Sequence, residues 1–190
     1  MSNLKKLALV TMITLIGSSA WAIKDPETGL NFADTSRCSG AAAKAAGVGV
    51  REATMGIDVY GVVVYINASV AGKSMRSASG CVKMLARFVR NVGADKIRAA
   101  WLKGFKKNGL SAGDATVKKF LSVITTEIKK RRYMVMEMKG SNVYFKYMGK
   151  GVSISGAGKL ARAIKNIYLG GNSSTPALVK DVRKRGIAKP

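Results

Sequence analysis

The sequence predicts an α+β fold, and three patterns along the chain predict it. Residues 57–66 carry apolar side chains in both alternating sets and one charged residue, a pattern typical of a strand covered on both faces. Alternating apolar residues return at 82–88 and again across 132–154, as in a meander of short strands. Apolar residues at helical spacing lie between these two regions and after the second one, so strands and helices share one domain.

The region before the central strand gives weaker signals. Residues 25–29 indicate a turn, and residues 30–32 a possible short strand. The small residues at 39–46 show no periodicity that assigns them to a helix or a strand. Residues 48–51 lead into the central strand, and residues 69–80 are expected to form a short helix or a loop.

Two helices are predicted between the strands. Asp95 begins the first, where its charge favours the helix dipole, and Gly109 ends it. Ser111 and Asp114 resemble a capping box for the second helix. The predicted buried residues are Ile97, Trp101 and Phe105 on the first helix, and Val117, Phe120, Leu121, Ile124 and Ile128 on the second.

The C-terminal third is predicted to contain three strands and two helices. One face of each of the first two strands consists of apolar residues: Met134, Met136 and Met138, then Val143, Phe145 and Tyr147. The third strand is predicted over residues 152–154. Leu160, Ala163, Ile164 and Ile167 mark a helix that ends at Gly170. Thr175 and Pro176 begin the last helix, as its N-cap and first helical residue.

Residues 1–22 have the pattern of an export signal. Lys5 and Lys6 precede an apolar run over 7–17, and residues 20–22 (Ala-Trp-Ala) form a small-x-small cleavage site. The run is too short to span a bilayer, although an uncleaved anchor or a buried N-terminal helix would have a similar composition. We therefore expect a periplasmic or secreted protein, cleaved near Ala22, in which residues 23–190 form a single domain.

The two cysteines, Cys38 and Cys81, have two interpretations. In the oxidising compartment that export implies, a disulfide would close a loop of about 43 residues. Alternatively, both are buried thiols that never meet. Their spacing has no metal-site signature.

The chain is strongly basic, with 33 lysine and arginine residues against 10 acidic residues and a net charge of +23. Such a charge attracts polyanions, so an anionic membrane surface is a candidate partner. The basic residues are spread out and accompany no helix-turn-helix, zinc-knuckle or aromatic ribonucleoprotein motif. We therefore do not expect a nucleic-acid partner, and a solvated basic surface is the simplest interpretation.

The sequence contains no histidine, which excludes imidazole-based catalytic triads and histidine-ligated metal or haem sites. Carboxylates are few and scattered, and no pair suggests a glycosidase. Residues 47–49 (Gly-Val-Gly) lack the third glycine and the helix of a dinucleotide-binding loop. We expect no metal and no cofactor, and any chemistry must use arginine, lysine, tyrosine, asparagine or a bound ligand.

The order of five short motifs is informative about the family. The first three motifs are Pro26-Glu27-Thr28-Gly29, Gly-x-Gly-x-Arg at 47–51, and Val59-Tyr60-Gly61 continuing to Tyr65. The fourth is Ala-Asp-Lys-Ile-Arg-Ala-Ala-Trp at 94–101. The fifth is Ile167-Tyr168-Leu169-Gly170, followed by a predicted helix with the pattern Leu-x-x-x at 178–182. Together they resemble the chalcone isomerase-like family over residues 24–187. The resemblance implies an open-faced β-sandwich, a long antiparallel sheet with a layer of helices on one face and a ligand cleft between them.

The resemblance also implies two ligand-contacting residues. Arg51 falls where plant isomerases keep an arginine for the anionic oxygen of the substrate, and where fatty-acid-binding relatives hold a carboxylate. Tyr60 falls where the isomerases have a threonine and the fatty-acid binders a tyrosine. A guanidinium beside a phenol hydroxyl suits a carboxylate, because both groups donate hydrogen bonds. As structural alternatives, Tyr60 is an ordinary core residue and Arg51 pairs with a carboxylate such as Glu52, Asp58 or Glu137.

Other family positions differ in this chain. The tyrosine and asparagine of the isomerases fall at about Lys96 and Lys103, and their serine or threonine falls near Ala161 or Arg162. The resemblance therefore implies that the groups that orient a chalcone for ring closure are missing. Lys96 and Arg162, as basic replacements, would extend the anion site.

We therefore expect an exported, chalcone isomerase-like binding protein for a small apolar anion such as a fatty acid. The predicted binding residues are Arg51, Tyr60, Lys96 and Arg162. An intramolecular lyase or isomerase acting on a chalcone-like substrate is the alternative function. A cationic adaptor for anionic surfaces is the third.

Overall fold

The computed structural model describes residues 22–53 and 56–190. In these residues one antiparallel sheet has its strands in chain order: β3 (Thr35–Cys38), β4 (Ala41–Ala53), β5 (Ile57–Asn67), β6 (Cys81–Phe88), β7 (Tyr133–Lys139), β8 (Asn142–Tyr147) and β9 (Lys150–Ile154). A separate hairpin consists of β1 (Ala22–Lys24) and β2 (Asn31–Ala33). The helices are α1 (Ala94–Lys107), α2 (Ala115–Leu121), α3 (Gly158–Leu169) and α4 (Pro176–Arg185). None of the described helices is long and apolar enough to cross a membrane.

The predicted α+β class is confirmed, and β5 lies in the sheet interior with both faces covered. Val62, Val63 and Val64 are all fully buried although they point alternately to the two faces. On one face β5 packs with the helices in the main hydrophobic core. On the other face, Ile23 and Phe32 of the β1–β2 hairpin belong to a smaller cluster with Val63 and Tyr65. The strand therefore has no solvated face, as its sequence predicted.

Residues 39–46, whose sequence has no clear periodicity, include the start of β4, a strand of 13 residues that begins at Ala41. Alanine and glycine give a weak strand signal, but β4 pairs with β3 on one side and β5 on the other. The glycines of Gly-x-Gly-x-Arg serve packing: a Cβ on Gly49 would lie 2.2 Å from the backbone nitrogen of Leu178. Helix α4 therefore crosses β4 at a distance that only glycine permits.

The second predicted helix is shorter than its apolar stripe. Helix α2 ends at Leu121, and Asp114 rather than Ser111 is its N-cap residue. Ile124 and Ile128 are buried as expected, but they lie in the segment that follows. Ile128 exchanges two backbone hydrogen bonds of 2.9 Å with Val92, and this pairing replaces further helical turns.

Cys38 and Cys81 form a disulfide with their Cα atoms 5.9 Å apart, which settles the two sequence interpretations. Two strands separate β3 from β6 in the sheet order, so the sheet must curl for these residues to meet. The side chain of Lys83 on β6 donates to the carbonyl of Arg37 on β3 at 2.8 Å. Edge strand β3 therefore folds back over the hairpin side of the sheet.

Candidate functional site

Arg51 on β4 and Tyr60 on β5 are directly opposite each other in the antiparallel register. Cross-strand partners project from the same face of a sheet, so the two predicted ligand contacts lie side by side. That face is the one covered by the helices, since Tyr60 belongs to the main core. The register shifts between Arg51 and Glu52, and a bulge of this kind bends a strand and re-aims its side chains.

The guanidinium of Arg51 is half-buried and hydrogen-bonds to backbone. Its Nη1 donates to the carbonyl of Ser174, 2.8 Å away, in the segment between α3 and α4. Among the described residues Arg51 has no carboxylate partner, and Glu137 pairs instead with Lys83 at 3.2 Å. A guanidinium has five N–H donors, so the Ser174 carbonyl leaves most of them available to an anion.

A second tyrosine, Tyr168 at the end of α3, completes the site. Its hydroxyl lies 3.0 Å from that of Tyr60. Burial is the main cause that raises the pKa of Tyr60, while the Tyr168 hydroxyl and the Arg51 charge lower it. Burial also raises the pKa of Tyr168 well above its ordinary value, with the neighbouring Tyr60 adding to the effect. Both phenols are therefore neutral at pH 7, and the pair shares one hydrogen bond and keeps a second proton to donate.

Polar side chains hold the α3–α4 segment against this pair. Ser173 Oγ donates to the carbonyl of Tyr168 at 2.5 Å, and Thr175 Oγ1 donates to the same carbonyl at 3.0 Å. These bonds satisfy a carbonyl at the end of α3 that would otherwise lack a helical partner. They also place Ser174, which lies between the two, where its carbonyl meets Arg51.

The surroundings of the two tyrosines are apolar and filled. The ring of Phe88 is 5.0 Å from that of Tyr60, and Trp101 is 6.0 Å from Tyr168. Met84 on β6 and Met134 and Met136 on β7 are at most 2% exposed, and they belong to the main core between the sheet and the helices. Two surface hollows lined by described residues, of about 270 and 310 Å³, both lie away from Arg51, Tyr60 and Tyr168.

The other two predicted site residues lie apart from this group. Lys96 is exposed in the first turn of α1. Arg162 is exposed on α3 and lines the larger surface hollow together with Lys159, Asn108 and Asn166. In the described part of the chain neither cation hydrogen-bonds to Arg51 or the tyrosines. The structure thus brings together Arg51 and Tyr60, and it adds Tyr168, which the sequence signalled only as part of a motif at the end of a helix.

A cluster of carboxylates lies at the turn between β1 and β2, and Glu27 of this turn is one of its members. Glu27, Glu52 and Asp58 have carboxylate oxygens within 4.8 Å of one another. The pKa of Glu27 is raised, first by burial and then by the charges of Asp25, Glu52 and Asp58. The turn itself packs on Gly61, where a Cβ would lie 3.0 Å from Asp25 and Thr28. These acids sit at the end of the β4–β5 pair, near the strand positions of Arg51 and Tyr60.

The family follows from comparison with known proteins. The profile of the chalcone isomerase-like family matches residues 27–181. This chain belongs to the chalcone isomerase-like family. Among curated proteins, none matches the chain.

A solved structure shows the same fold for this chalcone isomerase-like protein. It is similar to the crystal structure of a fatty-acid binding protein from Arabidopsis thaliana, with a TM-score of 0.68 and 19% identity. The match covers 88% of this chain and 96% of the plant protein. At this identity the similarity establishes the fold alone, and it confirms the predicted antiparallel sheet with helices on one face. The predicted family is confirmed by the profile match.

Proposed function

We propose that this protein binds a small apolar anion of the fatty-acid type, with Arg51 and Tyr60 holding its carboxylate. The observation that carries the proposal is the direct cross-strand opposition of these residues on the helix side of the sheet. Their chemistry supports it, because a fixed cation and a neutral phenol both donate to a carboxylate. The fatty-acid binding protein with the same fold adds support at the level of the family.

In this proposal, a carboxylate oxygen of the ligand takes the place of the Ser174 carbonyl oxygen as the hydrogen-bond acceptor of Arg51. The ligand carboxylate replaces the Ser174 carbonyl on the Arg51 guanidinium and accepts a second hydrogen bond from the Tyr60 hydroxyl. A hydrogen bond between a guanidinium and a carboxylate is stronger than one between a guanidinium and a neutral carbonyl, and this difference favours the exchange. The α3–α4 segment moves aside when its contact with Arg51 is lost.

The acyl chain needs space that side chains now occupy. Tyr168 contacts Tyr60 from the helix side, and Trp101 lies beside Tyr168; both side chains are at most 5% exposed. The methionines beneath them are unbranched and adapt to new neighbours at low cost. We therefore infer that the helices separate from the sheet as the ligand enters.

The residues at two family positions support binding rather than isomerisation. The positions where plant isomerases keep a tyrosine and an asparagine are here Lys96 and Lys103, and both are exposed. Ring closure of a chalcone depends on groups that orient the phenol toward the enone. An intramolecular lyase remains the second candidate, supported by the family alone.

Export to the periplasm or the exterior is part of the same proposal. The predicted signal at residues 1–22 lies outside the described residues except for Ala22, which begins β1. The Cys38–Cys81 disulfide supports export, because such bonds persist in oxidising compartments. The net charge of +23 supports an anionic membrane surface as a further partner.

The test compares a fluorescent long-chain fatty acid with its uncharged methyl ester. Replacing Arg51 by Gln should weaken binding of the acid by roughly tenfold or more, since a hydrogen bond to a charged group contributes about 1.5–3 kcal/mol. The same replacement should leave binding of the ester unchanged. Arg87→Gln, at a half-buried position on the other face of the sheet, is the matched control.

Two outcomes would contradict the proposal. Equal affinity of the native protein for acid and ester would remove the carboxylate contact. Conversion of a chalcone to a flavanone above the spontaneous rate would favour the isomerase instead. The fold of each variant is checked by circular dichroism before titration.

A further inference from the structure

The outer surface of the helix layer is a concentrated cationic surface. Over residues 94–121, which include α1 and α2, the sequence has seven lysine and arginine residues against two acidic residues. Helix α1 buries Ile97, Trp101 and Phe105 and exposes its lysines on the opposite side. The exposed lysines of the first two helices are Lys96, Lys103, Lys106, Lys107, Lys118 and Lys119.

Helix α3 extends this surface and contains no carboxylate. Its cations are Lys159, Arg162 and Lys165, spaced three residues apart, so like charges are neighbours on the helix. Lys165 is buried and donates to the carbonyl of Ala78 at 2.7 Å. Burial lowers the pKa of Lys165, and the nearby Arg162 lowers it further. In the described part of the chain neither Lys159 nor Arg162 has a salt-bridge partner, so the repulsion on this helix is uncompensated by protein acids.

The end of α1 and the side of α3 enclose a hollow of about 310 Å³, which we call the α1–α3 hollow. Lys159 and Arg162 line it from α3, and Asn108 lines it from the end of α1. Asn166 donates to Asn108 at 3.1 Å across the two helices, which fixes the walls relative to each other. The hollow therefore presents two cations beside two amides in a concavity that is large enough to admit a phosphate group.

Charge is distributed asymmetrically about the sheet. Glu27, Glu52 and Asp58 gather on the side of the β1–β2 hairpin, whereas the helix side is basic. A molecule whose excess positive charge lies mainly on one side is oriented by a negatively charged plane, with its more basic side toward that plane. A nucleic-acid strand would call for a groove with stacking aromatic residues, yet Tyr133 is the only large aromatic residue among the exposed hydrophobic side chains of the described residues.

We propose that the helix side docks on an anionic phospholipid bilayer, with a lipid headgroup phosphate in the α1–α3 hollow between Lys159 and Arg162. The lysines of α1 and α2 add long-range attraction, each contributing where it approaches the headgroups. This inference rests on the membrane partner proposed above and gives the place of contact. It is independent of what Arg51 binds, because the two sites share no residue. For a fatty-acid binder, it would place the protein at the surface where such ligands reside.

The test is co-sedimentation of the purified protein with vesicles of phosphatidylcholine, with and without phosphatidylglycerol. We expect binding only to the vesicles that contain phosphatidylglycerol, and loss of this binding at high salt. Replacing Lys159 and Arg162 together by Glu should weaken binding about tenfold or more, since each basic residue near the surface contributes appreciably. The milder pair Lys159→Gln and Arg162→Gln should weaken it in the same direction.

The matched control changes the net charge equally on the other side of the molecule. Lys24 lies on the hairpin, and Lys139 is paired with Cys81 at the end of β7; both are exposed. Replacing these two by Glu should have much less effect than the change in the hollow. Equal losses in the two double variants would overturn the proposal, as would equal binding to both kinds of vesicle. Binding to single-stranded RNA that depends on the hollow, without vesicle binding, would also overturn it.

Discussion

The phenol oxygens of Tyr60 and Tyr168 lie 3.0 Å apart in the interior, one from the central part of the sheet and one from the end of α3. Tyr168 is 1% exposed and Tyr60 is 9% exposed. Each hydroxyl therefore provides the hydrogen-bond partner that water would provide at an exposed position. This pair links the helix layer to the strand that carries the candidate site.

Replacing Tyr168 by Phe should lower the free energy of unfolding by about 1–3 kcal/mol, because the Tyr60 hydroxyl is left buried without its partner. Replacing both tyrosines by Phe should cost less than the sum of the two single changes, since no orphaned hydroxyl remains. Urea denaturation followed by circular dichroism measures these values. Tyr133→Phe, at a side chain that is 45% exposed, is the control. Strict additivity in the double variant would show that the hydroxyls do not interact.

Replacing Cys38 and Cys81 together by Ser should destabilise the native protein by about 2–4 kcal/mol, because the unfolded chain regains the freedom of a long loop. The disulfide spans 43 residues and ties the edge strand β3 to β6. Urea denaturation with and without a reducing agent provides the comparison. The reductant should affect the native sequence and leave the double variant unchanged. If the unsubstituted protein shows free thiols when it is denatured without a reducing agent, the disulfide is not present.

Gly49→Ala should destabilise the protein by about 1–3 kcal/mol, because the added Cβ would overlap the backbone of α4 at Leu178. Gly171→Ala is the control, since a Cβ at Gly171 meets nothing within 4 Å. Thermal unfolding of the two variants, measured side by side, tests the difference. Matching melting temperatures would mean that α4 does not pack on β4 as closely as described.

Stability should fall as the pH rises from about 10 to 12. Burial raises the pKa of Tyr65 to about 12, and Asp34 adds to the shift. Burial likewise raises the pKa of Tyr147 to about 12, with a smaller contribution from Glu127. Phenols in the unfolded chain ionise near pH 10. The unfolded state therefore loses protons first, so the stabilisation is complete below pH 10 and is lost through the folded pKa.

The measurement is the urea midpoint at several pH values across this window. Tyr65→Phe should flatten the decline, because one of the shifted phenols is removed. Tyr133→Phe, at an exposed position, should leave the slope as it is in the native protein. A midpoint that stays constant up to pH 12 would contradict the interpretation.

Sequence reasoning located the strands and helices where side-chain periodicity was strong. Helix α1 with its spacing of Ile97, Trp101 and Phe105 is one case, and the methionine face of β7 is another. It left the start of β4 unassigned, because alanine and glycine have no pattern and the strand exists through pairing with its neighbours. It extended α2 too far, because Ile124 and Ile128 are buried whether or not the helix continues.

The candidate site divides in the same way. The family resemblance selects Arg51 and Tyr60 as ligand contacts, but their position opposite each other depends on the register and bulge of β4 and β5. Nothing in the sequence pairs the hydroxyl of Tyr168, 108 residues away along the chain, with that of Tyr60. Family position predicts Lys96 and Arg162 as extensions of the anion site, whereas the structure places them on the outer surface.

By itself, the sequence determined the fold class, the family, the buried faces of the strong elements and the strongly basic character of the molecule. These properties depend on residue type and on local spacing, which are written directly in the chain. Only the tertiary structure decided that Cys38 joins Cys81, that α4 rests on Gly47 and Gly49, and that Tyr168 meets Tyr60 beside Arg51. Each of these depends on the curl of the sheet and on how closely the helices pack on it, and both are set by contacts between residues far apart in the chain.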